Sequence, residues 1–282
     1  DNGPYRNYRA QANGIDALGG QASTRGYRDL DPTELPGASA ADPAMGIAAV
    51  FAIASALNYR DRTGKGQQID MALFEQFITY NPQPFMDFTM NGRVQGTLGN
   101  RDAVAVPSGN FRCQGEDNWV SISVTNDEEW RALCGAMQCS ELAVDARFSS
   151  LRKRLENHDL LDSMIGEWTK QRSNHQAMEE LQAAGVAAGA VLDQGEAFTG
   201  VQPRAREFLV ELTHPDGVKY PYSRMPVRFS KTPAEVRTQG PLLGEHNEYL
   251  LGMLLGIPDL ERERLEYSGV TATLFTDLPA CQ

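Results

Sequence analysis

From Ala44 to Leu57 the chain carries almost nothing but Ala, Ile, Val, Phe and Met. Apolar side chains therefore fall on every side of the helix these residues favour, and the segment is expected to lie buried between layers rather than to keep one wet face. It opens on Asp42-Pro43, where proline suits the first helical position because its missing N–H would have no partner there, and this puts Asp42 at the N-cap. Arg60-Asp61-Arg62-Thr63-Gly64-Lys65-Gly66 closes the helix with charges and two glycines, Gln67 to Met71 reads as a short extended piece, and a second helix starts near Ala72. The positive end of a helix favours a charged carboxylate, which on the sequence pattern alone reads as a cap and leaves a nucleophile as the alternative.

Further on the period changes. Phe111 and Cys113 alternate with polar residues, Gln114 to Asn118 supplies a turn, and Val120, Ile122 and Val124 alternate again, so a hairpin is expected. Asn126 with Glu129 makes a capping box, and Trp130, Leu133, Cys134 and Met137 share one face of the helix that follows. Leu161, Ile165 and Trp168 mark a second amphipathic helix, Met178 and Leu181 a third that Gly185 stops, and Val186 to Leu192 returns as a strand. The tryptophans read as core. Phe208 to Leu212, the His214-Pro215-Asp216-Gly217 turn and Val218 to Tyr220 suggest another hairpin, Met225 to Pro233 an extended run, and Glu245 to Leu255 a helix. Between the two patterns, Asn81-Pro82-Gln83-Pro84, Asn91-Gly92 and Gly96 to Asn100 break regular structure, as a connector between domains would.

Composition narrows the partners. The chain has 282 residues, enough for one large core or two modest ones, and a net charge of -11 argues against nucleic acid or an anionic membrane surface as a partner. Local arginines still permit an anionic ligand. Cys113, Cys134, Cys139 and Cys281 show no CxxC pair and no metal-ligand spacing, which fits a reducing, cytoplasmic setting with no metal site. The apolar helix reads as too short for a bilayer and is polar at both ends. A phosphate loop at Thr63-Gly64-Lys65-Gly66 fails, because Tyr59 and Gly66 stand where glycine and Ser or Thr are needed. A helix-to-strand turn whose glycines take positive φ remains.

Asp42-x-x-x-Gly46, the Ala-rich helix, Arg62-Thr63-Gly64-Lys65-Gly66-Gln67 and Ile69-Asp70 together resemble the family III CoA-transferases, which include formyl-CoA and carnitine CoA-transferases and the related α-methylacyl-CoA racemases. Gly3-Pro4-Tyr5, Gly99-Asn100-Arg101, Asn118-Trp119-Val120, Gly185-Val186 with Gly189, and Pro241-Leu242-Leu243-Gly244-Glu245-His246 agree in order, so the resemblance covers nearly the whole chain. It implies an α/β fold: the remainder of a Rossmann-like large domain in residues 1–80, a linker at 81–105, a smaller α/β domain at 106–205, and a segment at 206–282 that returns to the large domain of an interlocked homodimer. By the same comparison, an amino-terminal part of the CoA pocket precedes this chain.

The resemblance makes Asp42 the catalytic nucleophile in moving CoA between an acyl-CoA and a carboxylic acid, with no permanently bound cofactor and coenzyme A as substrate. Arg9 takes a basic CoA contact, with Arg6, Arg25 and Arg28 nearby, and Gly99 and Asn100 belong to a glycine loop that closes over the site. In the racemase branch a histidine partners the aspartate; here Gln11 stands at that point, and an amide cannot take a proton, although Asp16 could substitute. His246, in a matching motif, reads as a polar residue at a helix start. An acyl-CoA epimerase and a non-catalytic acyl-CoA-binding subunit are the alternatives.

Overall fold

The computed structural model describes residues 3–30, 40–215 and 217–273. They fall in two compact units, Asp1–Val191 and Leu192–Gln282.

The first unit begins with helices alone, since no strand precedes Ser108 among the described residues. Helices α1 (Ala12–Leu18), α2 (Ala41–Thr63) and α3 (Leu73–Tyr80) pack on one another around Ile15, Ala41 and Phe77. Ala40, not Asp42, is the N-cap of α2, so Asp42 sits at the second helical position and Pro43 at the third, still within the turn whose N–H groups lack intrahelical partners. Gly64 ends the helix in the left-handed conformation, φ 72°, and its N–H reaches the Arg60 carbonyl at 2.7 Å, as the turn reading required, whereas Gly66 does not take a positive φ.

The expected burial of this helix is not what the fold provides. Only Ala41 and Ala44 of α2 are buried, while Ile47, Val50 and Phe51 stand about 70–76% exposed. Its neighbours α1 and α3 are too short to surround 23 residues, so an apolar composition on all faces meets cover on part of one. At that length α2 also satisfies the length and composition of a bilayer-crossing helix, longer than the sequence suggested, but a single such helix carries no assignment. Gln67 to Met71 pairs with no strand among the described residues. The expected linker contains a further helix, α4 (Pro82–Asn91), with Pro82 at its first position and Gly92 closing it through a bond to the Phe88 carbonyl.

The second half of this unit holds the main core. Strands β1 (Ser108–Arg112), β2 (Trp119–Ser123) and β3 (Ala187–Ala190) form an antiparallel sheet with β2 central, Phe111 opposite Val120 and Ser121 opposite Gly189. Val120 and Ile122 point to the buried side, as the alternation predicts. Helices α5 (Asp127–Ala136), α6 (Leu151–Glu156), α7 (His158–Thr169) and α8 (Asn174–Ala183) complete the layer, with Trp130, Leu133 and Cys134 from α5, Leu161, Ile165 and Trp168 from α7 and Leu181 from α8 all buried. Asn126 accepts from the Glu128 and Glu129 N–H groups, and the Glu129 carboxylate accepts from the Thr125 N–H and hydroxyl.

Arg154 lies in this core, 1% exposed. Its Nε donates to the Val106 carbonyl at 3.0 Å, Nη1 to the Phe148 carbonyl at 3.1 Å and Nη2 to Asp127 at 2.8 Å, so each nitrogen of the guanidinium is satisfied as burial demands.

The second unit contains short helices α9 (Gln194–Thr199) and α10 (Val201–Ala205), the expected hairpin as β4 (Leu209–Thr213) and β5 (Lys219–Ser223), a wide helical turn over Glu248–Leu254, and α11 (Asp259–Tyr267), which the sequence reading had not separated. The wide turn begins three residues after the expected start, with Leu255 N–H bonding Leu250 rather than Leu251. Only Ala272 is buried among the described residues of this unit.

Candidate active site

Asp42 owes its position to the packing of the first turn of α2. Ala41 is fully buried against Ile15 and Phe77, and Ala40 and Leu73 support the same cluster, so the turn is fixed while the adjacent Asp42 side chain faces outward. Helix geometry leaves the Ala41 and Asp42 N–H groups directed out of the turn, and Pro43 contributes none. The carboxylate thus sits at the positive end of a 23-residue helix.

The loop from Gly99 to Pro107 is held at several points. Gly99, at φ 64°, donates its N–H to the Gly26 carbonyl at 3.1 Å, and a Cβ there would lie 2.8 Å from the Tyr27 ring. Asn100 brackets the backbone of β1: its Nδ2 donates to the Asn110 carbonyl at 2.8 Å and its Oδ1 accepts from the Asn110 N–H at 2.7 Å. Gly109 runs so close that a Cβ would collide with the Asn100 carbonyl oxygen. Arg101 then pairs with Asp159 and, at 3.1 Å, with Asp162, whose other oxygen meets His158 Nδ1 at 3.0 Å. The Arg101 hydrogen bond holds the Asp159 carboxyl below its ordinary range. Asp102 accepts from the Val104 and Ala105 N–H groups, and Arg154 takes the Val106 carbonyl.

Of the residues singled out in the sequence, Gly99 and Asn100 are brought together with the Gly26–Tyr27 segment and β1, and the Asn100 amide spends its donor and acceptor inside the protein. Arg9 is exposed ahead of α1. No hydrogen bond or ion pair among the described residues joins Asp42 to Arg9, Gly99 or Asn100. Gln11 is the N-cap of α1, and Asp16, buried on that helix, pairs with Arg25 at 3.4 Å. Neither the Arg25–Asp16 pair nor the Arg101–Asp162–His158 chain was visible beforehand, because nine and more than fifty residues separate the partners and no local pattern links them. Among the described residues there is no cluster of metal-ligating side chains.

The succinyl-CoA–D-citramalate CoA-transferase of Chloroflexus aurantiacus is 28% identical over 257 residues, 91% of this chain and 63% of that protein. The acetyl-CoA:oxalate CoA-transferase of Acetobacter aceti is 31% identical over 209 residues, 74% of this chain and 53% of that protein. The chain therefore spans less than two thirds of the length of these relatives. In structure it matches a CaiB/BaiF family protein from Brucella suis with a TM-score of 0.75 at 31% identity, over 90% of this chain and 65% of that one. The mixed helix and strand architecture is that of this family's structures. The model for "CoA-transferase family III" matches residues 1–247, taking in the Asp42 turn, the Gly99 loop and the sheet, and on that span the chain belongs to CoA-transferase family III.

Proposed function

We propose that the protein transfers CoA between an acyl-CoA and a carboxylic acid, with Asp42 as the nucleophile. The observation that carries this reading is an outward-facing carboxylate at the N-terminus of a long helix, held by a buried first turn, in a chain of this family. The Asp42 carboxylate attacks the thioester carbonyl, the C–S bond breaks, and CoA leaves as a thiolate with a mixed anhydride in place. The thiolate attacks the aspartyl carbonyl to form an aspartyl-CoA thioester, and the donor acid departs as carboxylate. An incoming acid attacks that thioester, expels the thiolate, and loses its activated acyl group to it, which restores the Asp42 carboxylate. No proton or electron is gained or lost over the cycle.

Developing oxyanions need N–H donors, and the Ala41 and Asp42 N–H groups lie at the start of the same helix. The Gly99 N–H is engaged by Gly26, so in this account the Gly99–Asn100 loop shapes and dries the site, where water would hydrolyse the anhydride. Arg9 is assigned to a phosphate of CoA.

We place residues 1–80 in a Rossmann-like CoA-binding domain, 81–105 in a linker, 106–205 in the small domain and 206–282 in a returning segment, in an interlocked cytoplasmic homodimer. The uncovered apolar side chains of α2 and the near absence of buried residues among the described residues of the second unit support an assembly that covers both. Epimerisation has less support: Gln11 cannot carry a proton, and Asp16 is buried beside Arg25. In the assembled protein, Asp42→Ala is expected to abolish CoA transfer; unchanged activity would move the assignment to a binding subunit, and α-deuterium uptake without CoA movement to an epimerase.

A further inference from the structure

The transfer chemistry uses no cysteine, yet two of them are held together by the way α5 ends. Gln138, just past the helix, takes the left-handed conformation at φ 58°, a place more often given to glycine. Its N–H donates to the Gly135 carbonyl at 3.0 Å, and the N–H of Cys139 reaches back over it to the Cys134 carbonyl at 2.9 Å. These two crossed bonds make the helix ending in which the side chain three places before the cap and the one two places after it commonly meet. Met137 is the cap, so the two places belong to Cys134 and Cys139. The backbone bond between them also keeps their Cα atoms within about 7 Å, the span that a disulfide bridges.

The side chains differ in access. Cys134 is buried, 1% exposed, whereas Cys139 is half-buried and packs on the same core cluster. The Cys139 thiol donates to the Met137 carbonyl at 3.5 Å. Burial raises the Cys134 thiol, and a negative charge on Cys139 raises it further, so the two sulfurs act on one another. A lone core cysteine is inert packing; a reachable thiol with a second one beside it has a partner for oxidation.

We propose that Cys134 and Cys139 form a reversible oxidation site, closed to a disulfide by a low-molecular-weight disulfide of the glutathione class. The Cys139 thiolate attacks one sulfur of the oxidised glutathione, the S–S bond breaks, and one glutathione leaves as a thiolate. Cys134 then gives up its proton, its sulfur attacks that of Cys139, and the second glutathione leaves. The two thiol protons end on the two glutathiones, and the two electrons lost by the protein reduce the added disulfide. Cys139 leads because solvent reaches it. The raised Cys134 thiol makes the second attack the slow one, and the helix ending compensates by holding that sulfur next to its target.

The test is oxidation of the complete, folded protein with oxidised glutathione at mildly alkaline pH, followed by acid quench, trypsin digestion and mass spectrometry without reduction. No Lys or Arg lies between Ala132 and Ala146, so both cysteines stay in one peptide that ends at Arg147. The expected result is a peptide lighter by two hydrogens, free of glutathione and restored by dithiothreitol. In Cys134→Ser the same treatment leaves a glutathione on Cys139, and in Cys139→Ser the peptide is unchanged. Three results for the wild type would overturn the proposal: a lasting glutathione adduct on Cys139, an unchanged peptide, or a loss of two hydrogens that appears only in denaturant. Asp42 takes no part in these steps, so none of these results bears on the transfer reading.

Discussion

A single amide side chain, that of Asn100, makes both hydrogen bonds that a neighbouring strand would make to Asn110, donating to its carbonyl at 2.8 Å and accepting from its N–H at 2.7 Å. The loop that carries Gly99 is thereby registered on the outer edge of β1, the edge that β2 does not occupy.

Asn100→Ala removes two neutral hydrogen bonds, each worth about 1 kcal/mol. A loss of about 2 kcal/mol in unfolding free energy is expected, read from the denaturant midpoint at unchanged slope, with faster amide exchange at Asn110. Gly109→Ala should cost at least as much, because its new methyl group meets the Asn100 carbonyl at a positive φ.

The buried Arg154 and its partner Asp127 should respond unequally. Arg154→Met leaves the Val106 and Phe148 carbonyls unpaired in the core, and a loss of about 3–5 kcal/mol is expected. Asp127 is mostly exposed, so Asp127→Asn should cost about 1 kcal/mol or less. Thermal melts of the two variants check the ratio; equal losses would place the energy in the ion pair rather than in the two carbonyls.

Burial pushes the Cys134 thiol up to about 12 and raises that of Cys113. Thiol reagents at neutral pH are therefore expected to leave both unmodified in the folded protein and to label them on unfolding. Peptide mapping before and after denaturant reads this directly.

These shifts also fix the pH dependence of stability. A thiol raised in the folded state adds stability that is complete below the unfolded value of about 8.5 and is lost as pH rises above it. Glu129, lowered by the Thr125 N–H and hydroxyl, and Asp159, lowered by Arg101, act oppositely: their contribution is present above about pH 4 and is lost as pH falls. Denaturant midpoints should decline on both flanks, and Thr125→Val should flatten the acid side.

The three-stranded sheet and its helices were legible because their signals are local. Alternation at Phe111, Val120, Ile122 and Val124, and the helical spacing of Trp130, Leu133 and Cys134, each describe one face of one element, and all are buried where the pattern puts them. The start of the apolar helix was legible near Asp42, though the sequence put Asp42 at the N-cap, two positions off its place in the turn, because Pro43 tolerates the third helical position as well as the first; its role as nucleophile came from the family resemblance alone. The brackets at Asn100, Arg101 and Arg154 were not legible. The cited contacts join residues 10, 48 and 61 apart in sequence, and an exposed-looking Asn or Arg carries no mark of the carbonyl or carboxylate it will meet.

The nucleophile is tested most directly by trapping. The complete protein is incubated with an acyl-CoA it is shown to bind, quenched with hydroxylamine or borohydride, and mapped by mass spectrometry. Hydroxamate or reduced side chain confined to Asp42 is the expected result, and it is absent from Asp42→Asn. An unmodified Asp42 in a protein that turns over the same acyl-CoA would contradict the account.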